Sequence, residues 1–324
     1  MATPVASCPV LVERDRELGV LTRVASEVAR GMSQLVIVSG EAGAGKSRLV
    51  TEFIGSLPRT WRTDVMGGAR SNFPPLEAAT STAVGDRPEL DIGAALAASL
   101  RLSPARPTVV LVEDVHELDP ALIRALGVAV DLLEATPLLL VMTFRIDQGV
   151  LDPTASRAIA DLRRQNRVLD LTVGPISGDG VAIMAEALGR NLDDDGVADV
   201  LRRSGGNAFF AEELLLAGDA SLSWTVTHTV LERVRAVDAA GQRVAEILAV
   251  GGAALPRAVV EAVEPKGADG IVTLLGAGIA VESGDATVSL RHALVGEVIV
   301  AHLSLAERTA LHGALAACLE QRND

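Results

Sequence analysis

The chain has 324 residues, too many for one ordinary hydrophobic core and enough for two or three domains. A net charge of −13, no tyrosine and 2% aromatic residues argue against a nucleic-acid surface, which needs basic patches and stacking platforms. No apolar stretch is long enough to span a bilayer, Met1–Pro9 lacks the order of a signal peptide, and Cys8 and Cys318 stand apart with no partners at metal spacing; a cytoplasmic protein with no membrane contact, disulfide or zinc site is expected.

Leu35–Ser39 (LVIVS) is the first apolar run of strand length, and a helical stretch follows at 46–57. Arg62–Arg70 reads as a further strand blurred by Gly and Pro. Thr108–Glu113 (TVVLVE), Leu138–Phe144 (LLLVMTF) and Val168–Val173 (VLDLTV) are further strands, with helices at 119–135 and 154–165 between them. Asp119-Pro120 supplies an N-cap followed by an N1 proline. Near-continuous apolar strands alternating with helices predict a doubly wound α/β domain with a parallel sheet covered on both faces.

After Gly174-Pro175 the strand signal stops. Ser177–Gly189, Asp193–Ser204 and Asn207–Gly218 read as three short helices. Helices at 224–236, 238–250, 256–263 and 268–276 precede two strands, Gly278–Glu282 and Thr287–Leu290, joined by a turn at Ser283-Gly284-Asp285. Helices followed by a hairpin are the pattern of a winged helix. The expected division is a nucleotide-binding domain at 1–174, a helical domain at 175–222, a winged-helix domain at 223–304 and a last helix within 305–324.

Gly40-Glu41-Ala42-Gly43-Ala44-Gly45-Lys46-Ser47 fits G-x-x-x-x-G-K-[ST] at every fixed position, between a strand and a helix as the motif requires. Glycines let successive N–H groups turn toward one phosphate, and the helix that follows adds its positive end. Lys46 is one of only two lysines, with Lys266. It can bridge the β- and γ-phosphates of ATP, and the Ser47 hydroxyl can ligate Mg²⁺. The strand Val109–Val112 delivers Glu113 and Asp114 at its C-terminal end, where open α/β sheets bind ligands. One carboxylate is expected to serve Mg²⁺ and the other the attacking water, in either order. Thr143 and Arg145 offer a hydroxyl and a cation for the γ-phosphate, or are ordinary strand-end residues.

With these residues in place, the chain resembles the STAND class of P-loop NTPases, and more narrowly the ATPase part of large ATP-binding LuxR-type transcriptional regulators. The resemblance runs from LVERDREL (11–18), similar to "LVGRE-x-EL", through GEAGAGKSRLV (40–50) and VLVEDVHELD (110–119), similar to "EDLHWAD". It continues in RRSGGNAFFAEELL (202–215), similar to "TGGNPFFLEELL", and in the segment from Leu290 to Glu320, similar to "FRHALVREAVYESL" and the helix after it. It implies ATP or ADP with Mg²⁺ as ligands. Arg14, Arg48, Asn207 and Ala208 would contact nucleotide, Thr143 and Arg145 would sense the γ-phosphate, and His292 would meet the β-phosphate of ADP. Departures fall at Glu13, Glu117, Ala208, Gly296 and Val300, where the family has Gly, Trp, Pro, Arg and Tyr.

The function implied is a regulatory switch that holds ADP, exchanges it for ATP and hydrolyses slowly. A protein or small-molecule effector would act through C-terminal repeats, and DNA would be met through a C-terminal helix-turn-helix; the chain stops at Asp324, about where repeats would begin. ATP-dependent self-association is a further expectation. Two other readings stay open: an oligomeric AAA+-like ATPase with Arg163 or Arg164 as a finger toward a neighbour, and a nucleotide-bound scaffold without useful hydrolysis.

Overall fold

The computed structural model describes residues 8–66, 88–101, 106–133, 135–146, 153–164, 168–218 and 222–323. Within them the chain forms two units. One contains Glu13–Ile146 and the stretch ending at Gly174; the other contains the chain from Pro175 onward together with the N-terminal segment through Val12.

The first unit is built on five strands, β1 (Gln34–Gly40), β2 (Arg62–Met66), β3 (Thr108–Val112), β4 (Leu138–Arg145) and β5 (Val168–Val173). They lie in the order β2-β3-β4-β1-β5, and every pairing is parallel. β3 is buried along its whole length and β4 up to Phe144, which is why their sequences are apolar without alternation. Helices Lys46–Ser56, Pro120–Leu132 and Pro153–Arg163 fall where periodicity places them. Asp119 caps its helix by accepting from the Ala121 N–H at 2.7 Å. The blurred strand expected over Arg62–Arg70 forms β2, Arg62–Met66; residues 67–70 lie outside the described residues.

Two helices of this unit have no counterpart in the sequence reading, Asp15–Val28 and Pro88–Arg101. The second is rich in alanine, so its buried face (Ile92, Leu96, Ala97) stands out little from the rest. It also carries Gly93 in mid-helix, a position that usually weakens a helix. A Cβ there would lie 2.7 Å from the Val128 side chain, so the glycine permits close packing on helix Pro120–Leu132.

The second unit begins with three helices, Gly178–Ala187, Asp194–Ser204 and Ala208–Ala217. Helices Trp224–Arg235, Ala239–Gly251, Arg257–Val263 and Gly267–Gly276 follow. An antiparallel sheet of β6 (Leu255–Pro256), β8 (Thr287–Leu290) and β7 (Ala280–Glu282) comes next, in that order, then helices Ala293–His302 and Leu305–Asn323. In the β7–β8 turn Ala286, not Gly284, takes the left-handed backbone, φ 58°. The N-terminal segment joins this unit because Cys8 and Val12 are buried in its core and the Cys8 N–H donates to Glu212 Oε1 at 2.5 Å. Among the described residues no helix is long and apolar enough to cross a membrane.

The helix pair Ala239–Gly251 and Gly267–Gly276 meets at Gly270, where a Cβ would stand 2.5 Å from the Ala240 carbonyl oxygen. Gly270→Ala therefore forces backbone apart and is expected to destabilise the second unit by about 1–3 kcal/mol. Hydrogen exchange should show faster opening of 239–276 and unchanged protection in β1 and β4 of the first unit.

Candidate functional site

The phosphate-loop motif occupies the turn between β1 and helix Lys46–Ser56. Its glycines serve different ends. A Cβ on Gly40 would lie 2.8 Å from the Val173 carbonyl oxygen, so Gly40 lets the end of β5 approach the loop. Gly43 and Gly45 take positive φ, 81° and 94°, conformations that cost other residues about 1–2 kcal/mol. Gly45 starts the helix, and Leu49, Val50 and Phe53 bury its inner face. Glu41, Ala42 and Arg48 are half-buried, while Ser47 is exposed on the first turn. Lys46 is 6% exposed, and its Nζ donates to the Gly40 and Glu41 carbonyl oxygens at 2.9 and 2.6 Å.

β4 is the strand that assembles the rest. It lies between β1 and β3, pairing Gly40 with Arg145 on one side and Val112 with Met142 on the other. Thr143 and Arg145 are thereby set between the loop and the acids that follow β3. The Asp114 N–H donates to Thr143 Oγ1 at 2.9 Å. Arg145 grips the Asp114 carboxylate through two nitrogens, at 3.1 and 3.3 Å. Asp114 itself holds φ 49°, a left-handed backbone that is uncommon for a residue with a side chain. Glu113, half-buried, precedes it directly. Lys46, Ser47, Glu113, Asp114, Thr143 and Arg145 thus gather at the C-terminal edge of one parallel sheet.

Arg14 is buried, 5% exposed, and its guanidinium donates to three main-chain oxygens: Glu13 at 2.9 Å, Ala44 at 3.3 Å and Gly174 at 2.8 Å. Burial draws its pKa below the ordinary value, and the nearby Glu17 and Glu13 charges oppose that shift. His116 is a site neighbour that motif spacing alone did not promote. It lies edge-on to Phe144, with ring centroids 6.2 Å apart, and both ring nitrogens are buried without a hydrogen-bond partner. Burial lowers its pKa against the attraction of Asp114, which favours the neutral ring.

Asn207, Ala208 and His292 belong to the second unit. Asn207 caps helix Ala208–Ala217 by accepting from the Phe210 N–H at 3.3 Å. His292 is 3% exposed and lies edge-on to Phe210 at 5.2 Å. A Cβ on Gly205 would come within 2.6 Å of its Nδ1. Arg203 binds Glu297 through two nitrogens at 2.8 and 2.7 Å. The two motifs at 202–215 and 290–302 therefore pack on each other within that unit. Arg163 and Arg164 are both engaged locally, Arg163 with Asp170 at 2.9 Å and over the Phe144 ring, Arg164 with Asp161.

Residues 10–98 match the family model described as "AAA ATPase domain". The parallel-sheet unit has the P-loop NTPase fold. A Walker-type ATPase of Pyrococcus abyssi shares the architecture at a TM-score of 0.52 and 13% identity, over 93% of this chain and 99% of its own. A STAND protein with a tetratricopeptide repeat sensor from Pyrococcus horikoshii aligns at 0.44 and 13% identity over 99% of this chain. This chain spans about half, 48%, of that protein's length. Drosophila ORC, solved bound to DNA, aligns at 0.48 and 17% identity over 96% of this chain and 89% of its own. No curated protein matches the sequence.

Thr143 is 1% exposed, and its hydroxyl is the acceptor that fixes the Asp114 peptide. Thr143→Val leaves that N–H without its partner and should cost about 1–3 kcal/mol. Thermal unfolding should register the loss, and Thr143→Ser should restore most of it.

Proposed function

We propose that this chain is an ATP/ADP-binding regulatory switch with slow Mg²⁺-dependent hydrolysis. The observation that carries it is the convergence of Lys46, the acids Glu113 and Asp114, and Thr143 and Arg145 at one sheet edge. The loop N–H groups and the N-terminus of helix Lys46–Ser56 suit a polyphosphate. Lys46 is buried among carbonyl oxygens that a phosphate oxygen can replace as its acceptor.

A hydroxyl and one carboxylate suit Mg²⁺, which is commonly bound through one or two carboxylates and substrate phosphates. Ser47 and one of Glu113 and Asp114 would hold it, and when bound it neutralises phosphate charge. Slow turnover is what the motif resemblance implies. Arg145 holds Asp114, and a γ-phosphate would compete with that carboxylate for the same guanidinium. Such competition gives ATP and ADP different contacts, which is what a nucleotide switch needs.

The LuxR-type setting, with effector input and DNA output carried by other segments, follows from the motif resemblance. The ring-ATPase reading needs a cation available to a neighbour; Arg163 and Arg164 each form a solvent-screened local pair, with Asp170 and Asp161.

Nucleotide released by denaturing freshly purified protein tests the reading directly. ADP at about one per chain is expected, and an empty site would refute a long-lived ADP state. Lys46→Ala should abolish retention. Single-turnover hydrolysis in the wild type should be slower than about 1 s⁻¹ and still exceed the Lys46→Ala background; a rate equal to that background would remove the hydrolytic step.

A further inference from the structure

The chain passes between its units, among the described residues, at Val12-Glu13 and at Gly174-Pro175. Both passages end on a carbonyl held by one side chain. Arg14 donates to Glu13 O at 2.9 Å and to Gly174 O at 2.8 Å. The same guanidinium donates to Ala44 O, inside the phosphate loop, at 3.3 Å. The three oxygens come from segments 30 and 160 residues away from Arg14 and from its immediate neighbour.

We propose that Arg14 is a positioning residue that couples occupancy of the phosphate loop to the two connecting peptides. A guanidinium is planar and presents its donors in a fixed fork, so one acceptor cannot shift without changing the geometry offered to the others. Burial at 5% removes water as a substitute partner, and a lost bond then leaves a desolvated donor. Ala44 N–H donates to Glu41 O at 3.2 Å, so its peptide is part of the turn that would close around a phosphate. Ordering that turn orders the Ala44 carbonyl, and through Arg14 the carbonyls of Glu13 and Gly174.

Each passage is also anchored on its far side within the second unit. Cys8 N–H donates to Glu212, and Ile176 N–H donates to the Gly206 carbonyl oxygen at 2.9 Å. Glu13, at the first passage, holds φ 52°. A side-chain-bearing residue in that conformation persists only when its surroundings fix it, and the Arg14 bond to its carbonyl is one such constraint.

The inference rests on the nucleotide reading above, and hydrogen exchange of the full-length protein with and without ADP separates the two. In the wild type, ADP should slow exchange at 40–47 and also, by at least about fivefold, at 12–15 and 173–177. Arg14→Met should bind ADP roughly 10- to 100-fold more weakly. At saturating ADP it should still be protected at 40–47, but no longer at the two connecting peptides. Equal protection of those peptides in the saturated variant and the wild type overturns the coupling. Fast exchange of Leu35–Val38 in Arg14→Met would mean a misfolded sheet, and Arg14→Lys then serves, since it keeps the charge without the fork; wild-type-like coupling in Arg14→Lys overturns the proposal equally. Absence of protection at 40–47 in the wild type refutes the nucleotide reading and the coupling together, whereas protection there alone refutes only the coupling.

Discussion

The site depends on the placement of β4 between β1 and β3. Had β1 and β3 been neighbours, the loop after Gly40 and the acids after Val112 would face each other with nothing between. The inserted strand sets a hydroxyl and a guanidinium in that gap, Thr143 against the Asp114 peptide and Arg145 against its carboxylate. Its register is fixed on both sides by continuous pairing, seven residue pairs with β1 and five with β3. A slip by one residue would turn Thr143 and Arg145 to the opposite face. The apolar run Leu138–Met142 is thus what aims the polar residues at its end.

That geometry gives the Asp114–Arg145 pair its character. Both side chains are about one-third exposed, 31% and 35%, so solvent screens the attraction and the pair contributes at most about 1 kcal/mol. A weak, two-point ion pair at a site suited to phosphate is easily exchanged. The left-handed backbone at Asp114 adds a local cost, offset in part by the Thr143 bond to its N–H. The carboxylate is therefore held by contacts of modest strength, while Thr143, 1% exposed, is the fixed point.

The α/β unit was legible because its signals are local. Four apolar strands, a capped helix at Asp119-Pro120 and the glycine spacing of the loop can each be read within a dozen residues. Helices Asp15–Val28 and Pro88–Arg101 were not, the latter because alanines blur its apolar face and Gly93 argues against a helix. Left-handed conformations at Glu13, Asp114 and Ala286 carry no sequence mark, since glycine is the residue that advertises them. Arg14 shows a different limit. Motif resemblance pointed to it, but nothing local tells that its three acceptors are main-chain oxygens, two of them from distant segments. For Asn207 and His292, resemblance alone implied nucleotide contacts; the structure gives both a packing role in the second unit, a helix cap and a ring against Phe210.

Arg14, Lys46 and Arg145 differ in what they hold, and that difference orders their proposed tasks. Arg145 holds a carboxylate that is partly open to water. Lys46 is buried but donates to two carbonyls of its own loop, oxygens five and six residues away that move with the turn. Arg14 is buried and spans carbonyls from three separate segments. In the proposed cycle an incoming phosphate would compete for Arg145, whose acceptor is partly solvated, and for Lys46 against the loop carbonyls it bonds. Replacing those of Arg14 would strip hydrogen bonds from Ala44 and Gly174 together, so its positive charge is felt by a ligand without its donors being surrendered. Of the three, Arg14 is the one that also grips the loop's own backbone.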